Sequence, residues 1–513
     1  MTEETRRLID DCSESESHLD EENDSSRGRV RFCRLLTVKL HFFTFFAGWG
    51  CLLPYLTLYY RYVGLSARQN GVVQSVRPFV NFAATPLWGV VGERFGGVKL
   101  IWVVSLLLQI VLTWLIALVR PDTDRGNLER VCYCGNQSNL SEWLTSTSDG
   151  HSQIQFSFLQ RSRNTTQLCR ELRRDALDAR NIKLLEIAGL VAVGEAFAAP
   201  GPPLSDYYTL EILGSRRHGD YGKQRVWGTV GWGLASFAVG FVSDELGSSL
   251  CSPDYSLYFY LFGGLTALSV LFAILMGMGH KSGHNLSQTS EPSLPNQLNQ
   301  PQVNFWFKLR LLLKNPRVVL FLVAAWLIGM LMSVIESFLF WFIQDLGGGK
   351  TIMGLSVLVM SLGEIPAFVL SDCLISRIGY TGVLCLTFVC YAVRFVAYSF
   401  ITIPWTVLPV ELLHGVTFAL RSAALVLYAR AVAPSGLEAS AQTLFEGVLT
   451  GLGGGCGAIL GGLCWQHLGS RMTFRISAWV SIAGLVLFCV GHAIISACCG
   501  EKYPNRKESL LPW

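Results

Sequence analysis

Twelve stretches of this sequence are apolar over lengths that reach across the ~30 Å hydrocarbon core of a bilayer. No other feature constrains the fold as strongly. In lipid a backbone must satisfy its hydrogen bonds internally, so such stretches become helices. They cover about 38–60, 71–91, 100–119, 182–213, 226–242 and 255–278, then 318–342, 352–370, 381–401, 406–431, 439–464 and 472–497. The composition agrees: 51% hydrophobic against 15% charged residues leaves too little polar surface for a water-soluble chain of 513 residues. The expected fold is an all-α membrane protein of twelve transmembrane helices in two pseudo-symmetric six-helix bundles.

The polar segments orient this plan. Arg27, Arg29, Arg31 and Arg34 precede the first helix, and Arg216, Arg217 and Lys223 follow the fourth. Basic residues in short loops stay on the cytoplasmic side, which places the N-terminus there. An even number of crossings returns the C-terminus, with Lys502, Arg506 and Lys507, to the same side. The expected organisation is a cytoplasmic tail (1–34), an N-terminal bundle (35–278) with an extracytoplasmic loop (120–181), a cytoplasmic linker (279–315), a C-terminal bundle (316–497) and a second tail (498–513). Three glycosylation acceptors, Asn136, Asn139 and Asn164, all fall in the one long outer loop. Cys132, Cys134 and Cys169 lie there too, and Cys251 in the next outer loop; their pairing is not readable from spacing. Residues 1–30 lack the apolar core of a cleavable signal peptide, so the first helix is expected to insert by itself. The tail carries Glu4-Thr5-Arg6-Arg7-Leu8-Ile9, with the form of an acidic dileucine sorting signal. A plasma-membrane or an endolysosomal location both fit.

Between the second and third helices stands Gly89-Val-Val-Gly-Glu93-Arg94-Phe95-Gly96-Gly97-Val98-Lys99. It resembles the cytoplasmic signature of the major facilitator superfamily, with Glu93 in place of aspartate and Gly97 in place of a basic residue. A shorter echo, Arg377-Ile378-Gly379, follows the eighth helix. Tyr221-Gly-Lys-Gln-Arg225-Val-Trp227-Gly228 opens the fifth helix and resembles the branch that contains sugar and nucleoside proton symporters. With the long outer loop, the chain looks most like the major facilitator superfamily domain-containing protein 6 family. The resemblance implies alternating access between the two bundles, with Gly89, Glu93, Arg94 and Gly96 as a cytoplasmic latch.

Ionisable residues inside a membrane are costly unless paired or facing water, so each is a candidate site. Arg77, Arg394 and Arg421 fall within helices two, nine and ten. Glu195, Glu336, Glu364, Glu411 and Glu446 fall within helices four, seven, eight, ten and eleven. Acids outnumber bases, and a surplus carboxyl away from water holds a proton near neutral pH. Proton coupling is the use this points to. The alternative for each arginine is an interhelical ion pair that only holds the bundle together. On an α-helix Glu411, His414 and Arg421 share a stripe about 80° wide. Resemblance to lactose-permease-like symporters implies that Glu411 and His414 pass protons, in reversed order here. Gln74, Arg77 and Asn81 align on helix two, and Gln442, Glu446 and Thr450 on helix eleven. Glu186 and Glu195 lie about 180° apart and cannot share a cavity. Trp49 and Tyr55 are candidates to line a pocket. Pro200-Gly201-Pro202-Pro203 breaks the fourth helix, as a hinge or a plain kink.

No nucleotide site is expected, because Gln344 stands where the first glycine of a P-loop belongs before Gly347-Gly-Gly349-Lys350-Thr351. No metal or nucleophile constellation, cofactor site or nucleic-acid patch is evident, so no enzyme is expected. The expected partners are the bilayer, a small organic solute and protons. The rival expectation is a receptor or scaffold of transporter fold whose glycosylated outer loop binds a protein.

Overall fold

A computed structural model describes residues 34–95, 98–119, 165–213, 221–247, 255–278, 313–433 and 438–499. The three glycosylation acceptors, Gly96, the linker expected at 279–315 apart from its last residues, and both tails apart from Arg34, Cys498 and Cys499 lie outside them. The described residues are helical nearly throughout. In chain order the helices are α1 (Arg34–Val63), α2 (Ala67–Phe95), α3 (Val98–Ala117), α4 (Thr165–Ala198, resumed as Gly201–Leu213), α5 (Tyr221–Gly247), α6 (Ser256–Met278) and α7 (Pro316–Asp345).

Two longer runs follow, Lys350–Phe400 and Gly454–Cys499, with Pro404–Val432 between them. Each long run is broken by one glycine in a left-handed backbone that other residues avoid, Gly379 (φ 68°) and Gly469 (φ 78°). Contacts show that the chain doubles back at both. Gly363 packs against Leu412 and Gly415, and Arg394, about as far beyond the break as Gly363 is before it, meets Glu411 and Thr417. Likewise Gly457 and Gly461 pack on Met330 and Val334, whereas beyond the second break Phe474 meets Phe342 and Phe488 meets Phe321, in the opposite direction. The runs therefore divide into α8 (350–378), α9 (380–400), α11 (438–468) and α12 (470–499), with α10 as Pro404–Val432. Among the described residues this makes twelve helical passes, and eight of the uncut helices are long and apolar enough to cross a membrane.

Local sequence explains the boundaries. Pro316 begins α7 where it sacrifices no hydrogen bond, and the Asn315 side chain accepts from Arg317 N at 3.0 Å as its cap. The α4 break falls at residues 199–200, beside Pro200, as the Pro-Gly-Pro-Pro sequence predicts. Two π-helical stretches, Gly415–Leu420 in α10 and Gly447–Gly453 in α11, have no forewarning in the sequence. Such insertions cluster at functional sites because they re-aim side chains.

The halves meet along α2 with α11 and α5 with α8. Close approach demands glycine: a methyl group on Gly71 would strike the Ala458 carbonyl, and one on Gly354 the Ser236 carbonyl. At the end of the bundle carrying Val63 and Lys350, polar contacts join the halves. Arg61 pairs with Asp345 at 2.7 Å and donates to Gln344 at 3.0 Å. Trp341 Nε1 donates to Thr57 O at 2.8 Å, and Asn70 donates to Ser337 O at 3.2 Å. Asp244, from α5, caps α8 across the divide. It accepts from the Lys350 and Thr351 backbone amides at 3.0 and 2.7 Å and from the Thr351 hydroxyl at 2.7 Å. Tyr55, expected at a pocket, belongs to this seal: it is buried and donates to Ser236 O at 2.8 Å.

Candidate functional site

Toward the middle of the bundle the expected charges resolve into partners on neighbouring helices. In the N-terminal half, Arg77 on α2 lies 3.6 Å from Glu195 on α4. Asn81, one turn along from Arg77, donates to the other Glu195 oxygen at 3.4 Å and accepts from Thr85 at 2.8 Å. The Arg77 guanidinium lies 5.4 Å from the centroid of the Trp49 ring on α1, within cation–π range. Both Arg77 Nε and Trp49 Nε1 are buried donors without a hydrogen-bond partner. Glu186, a half-turn out of phase with Glu195, is exposed.

The C-terminal half holds a denser network. Arg394 on α9 and Glu411 on α10 are 2.7 Å apart and essentially fully buried, at 1% and 0% side-chain exposure. Burial of both ions is tolerable only when their remaining atoms are satisfied. They are: Tyr398, one turn beyond Arg394, accepts from its Nε and Nη2 at 3.3 and 3.1 Å and donates to Glu411 Oε1. Thr417 accepts from Arg394 Nη1 at 2.8 Å.

His414 connects this pair to α8. Its Nδ1 lies 3.3 Å from Arg394 Nη1, and its Nε2 lies 3.3 Å from Glu364 Oε1. A guanidinium only donates, so Nδ1 must accept and the ring proton sits on Nε2, facing Glu364. Phe418 stacks on the imidazole, with ring centroids 5.3 Å apart. Here the sequence expectation needs correction. Glu411, His414 and Arg421 do not present one stripe to one cavity, because α10 is interrupted before His414 and turns π-helical from 415 to 420. They address three different helices, through Arg394 on α9, Glu364 on α8 and Met332 on α7.

Arg421 and Glu336 complete the set. Arg421 is 2% exposed and donates from Nε to Thr417 O at 2.9 Å and from Nη2 to Ser422 Oγ and Met332 Sδ at 3.2 and 3.8 Å. Its Nη1 has no partner. Glu336 on α7 is exposed although Ile335 and Ser337 beside it are 4% and 3% exposed, so its carboxyl faces an opening within the bundle. Glu446 stands apart: it is exposed and makes no ion pair among the described residues. Without it, Glu195, Glu336, Glu364 and Glu411 face Arg77, Arg394, Arg421 and His414, and the excess of acids reduces to the protonation state of one histidine.

Gly89, Glu93 and Arg94, expected to form a latch, lie in the last turns of α2. Among the described residues no cluster of His, Cys, Asp and Glu has the form of a metal site. Tyr398 and Thr417 are the partners that charge counting passed over. The first had a signal, since Arg394 and Tyr398 are four apart on one helix and therefore adjacent. Also unanticipated is a buried polar group in the N-terminal half, where His41 Nε2 lies 2.9 Å from Ser205 Oγ and Nδ1 lies 3.0 Å from Ser269 Oγ.

Two helical bundles joined at one end, each with ion pairs between its own helices, have the form of a membrane transporter fold. The chain belongs to the MFS_1 like family, which matches residues 35–476. It is 25% identical over 466 residues to a major facilitator superfamily domain-containing protein 6-like protein of Danio rerio, covering 83% of this chain and 82% of that protein. The chain spans 51% of a related protein from Xenopus laevis. It is 28% identical over 288 residues to a maltose permease of Geobacillus stearothermophilus, covering 56% of this chain and 67% of the permease. A crystal structure of the nucleoside transporter NupG superimposes with TM-score 0.62 at 18% identity, covering 90% of this chain and 99% of NupG, a likeness of fold.

Proposed function

We propose that the protein moves a small organic solute across its membrane by alternating access, coupled to protons. One observation carries this reading: both halves hold ionisable groups inside the bundle, polar contacts seal the halves together at one end, and Glu336 remains open between its buried neighbours. A bundle held together only by ion pairs has no use for an open carboxyl at its centre. The maltose permease and nucleoside transporter among the similar proteins support an organic solute. With both termini in the cytoplasm of a plasma or endolysosomal membrane, the sealed end faces outward and this conformation faces the cytoplasm. Glu93 and Arg94 then serve as the cytoplasmic latch that closes when the outer seal opens.

The proton has a defined place in this scheme. Glu364 and His414 face each other at 3.3 Å, and His414 Nδ1 is held by Arg394. A second proton on the imidazole must displace Arg394 from Nδ1, since two donors cannot face each other there. Protonation therefore breaks the His414 contact with α9 and frees the imidazole to turn toward Glu364. Glu411, which keeps two partners of its own, anchors Arg394 through that exchange rather than carrying the proton.

The test is uptake into proteoliposomes of the full chain under an imposed pH gradient, with a panel of radiolabelled sugars, nucleosides and amino acids. Accumulation that follows the gradient, and that persists as gradient-independent exchange in His414→Gln or Glu364→Gln, supports the reading. Uptake that ignores the gradient removes the proton coupling. No uptake of any solute, together with protein binding that depends on residues 120–181, favours the receptor instead.

A further inference from the structure

Two ionisable groups inside the bundle have no partner of opposite charge in contact, and their charged forms have opposite signs. Arg421 is buried and holds three partners with Nε and Nη2, yet Nη1 has none. Every acceptor that fixes it is neutral, so its positive charge has no counter-ion in contact. Glu336 is the reverse: a carboxyl open to the interior, with no base within ion-pair distance among the described residues. The two are neighbours without touching. Arg421 reaches Met332, one helical turn before Glu336 on the same face of α7. Nearby charges do not resolve the mismatch, because Arg77 is taken by Glu195, Arg394 by Glu411, and His414 by Glu364.

We propose that Arg421 and Glu336 are the two poles of the solute site, and that the solute is a zwitterion with a carboxylate for Arg421 and an ammonium for Glu336. The inference rests on the transport reading and specifies its substrate class. A charge in a dry interior is tolerated when paired and hydrogen-bonded. A ligand bearing both charges pairs each pole and leaves the net charge of the carrier unchanged as it crosses. A neutral polyol supplies hydrogen bonds but no counter-charge, and an anion or a cation satisfies one pole and leaves the other worse placed.

The experiment uses full-length protein in proteoliposomes with three probes: a mixture of radiolabelled α-amino acids, a radiolabelled disaccharide and a radiolabelled nucleoside. Amino-acid uptake is expected. In the unmodified chain, N-acetylation or methyl esterification of the transported amino acid should weaken competition on the order of tenfold, the value of one charge-assisted hydrogen bond. Arg421→Gln should abolish the discrimination against the ester, and Glu336→Gln the discrimination against the acetylated form. Should either variant fail to fold, competition by the blocked compounds on the unmodified chain decides alone. Uptake of the disaccharide or nucleoside without amino acids overturns the zwitterion while leaving transport standing. Equal competition by blocked and unblocked amino acids also overturns it, and absence of all uptake overturns both.

Discussion

Each half of the bundle holds a base and an acid between its own helices, but the two halves hold them differently. In the N-terminal half Arg77 and Glu195 stand 3.6 Å apart with side chains 23% and 14% exposed. In the C-terminal half Arg394 and Glu411 are in close contact, buried, and braced by Tyr398 and Thr417. The helix roles are also exchanged. The base comes from α2 and the acid from α4 in one half, whereas the acid Glu364 comes from α8 and the base His414 from α10 in the other. A tight buried pair is a fixed structural anchor, because separating its members strands an ion. A looser, half-wet pair separates at low cost. The C-terminal half therefore has a rigid pair with His414 on its flank, and the N-terminal half has a looser one.

This contrast can be broken by substitution. Glu411→Ala should destabilise the protein most, by about 3–5 kcal/mol, because Arg394 is left buried and alone. Thermal unfolding in detergent measures it, and an Arg394→Met/Glu411→Leu double variant should recover much of the loss. A Glu411→Ala protein as stable as the parent would show that the buried pair anchors nothing. Glu195→Ala should cost only about 1 kcal/mol, as befits a partly exposed pair. A loss equal to that of Glu411→Ala would erase the distinction between the halves.

A smaller effect is expected at the seal. Asp244→Asn weakens a cap that spans the halves, worth about 1 kcal/mol, and should shift the population toward opening at that end roughly fivefold. Distance distributions between spin labels on α5 and α8 report it, and an unchanged distribution would remove Asp244 from the gate. At the turns, Gly379→Ala and Gly469→Ala should each cost about 1 kcal/mol or more, because a positive φ with ψ of 171° or 173° is a region that other residues scarcely enter. Because neither glycine has neighbours within contact range, equal losses are expected, and a larger loss at one would show that its turn does more than reverse the chain.

Much of the fold was legible before the coordinates. Apolar length locates the membrane crossings, though α4 begins at Thr165, inside the segment expected as outer loop, and Pro200 to Pro203 places the break in α4. Even the two reversals in the long helices carry glycine at the turning residue. The candidate site was legible as an inventory: Arg77, Glu195, Glu336, Glu364, Arg394, Glu411, His414 and Arg421 stand out because ionisable groups in apolar stretches are rare. Their pairing was not. Helical spacing relates residues within one helix, and it assumes an α-helix throughout, so the π-helical turn in α10 dispersed a stripe that the spacing had drawn together.

What the sequence by itself determined is that this chain crosses a membrane repeatedly in two halves and carries charges into it, because lipid allows no other solution for such apolar segments. Tertiary structure alone decided which charge meets which, and that Arg421 and Glu336 meet none. Ion pairing acts over a few ångströms between helices remote in the chain, and only packing sets those distances.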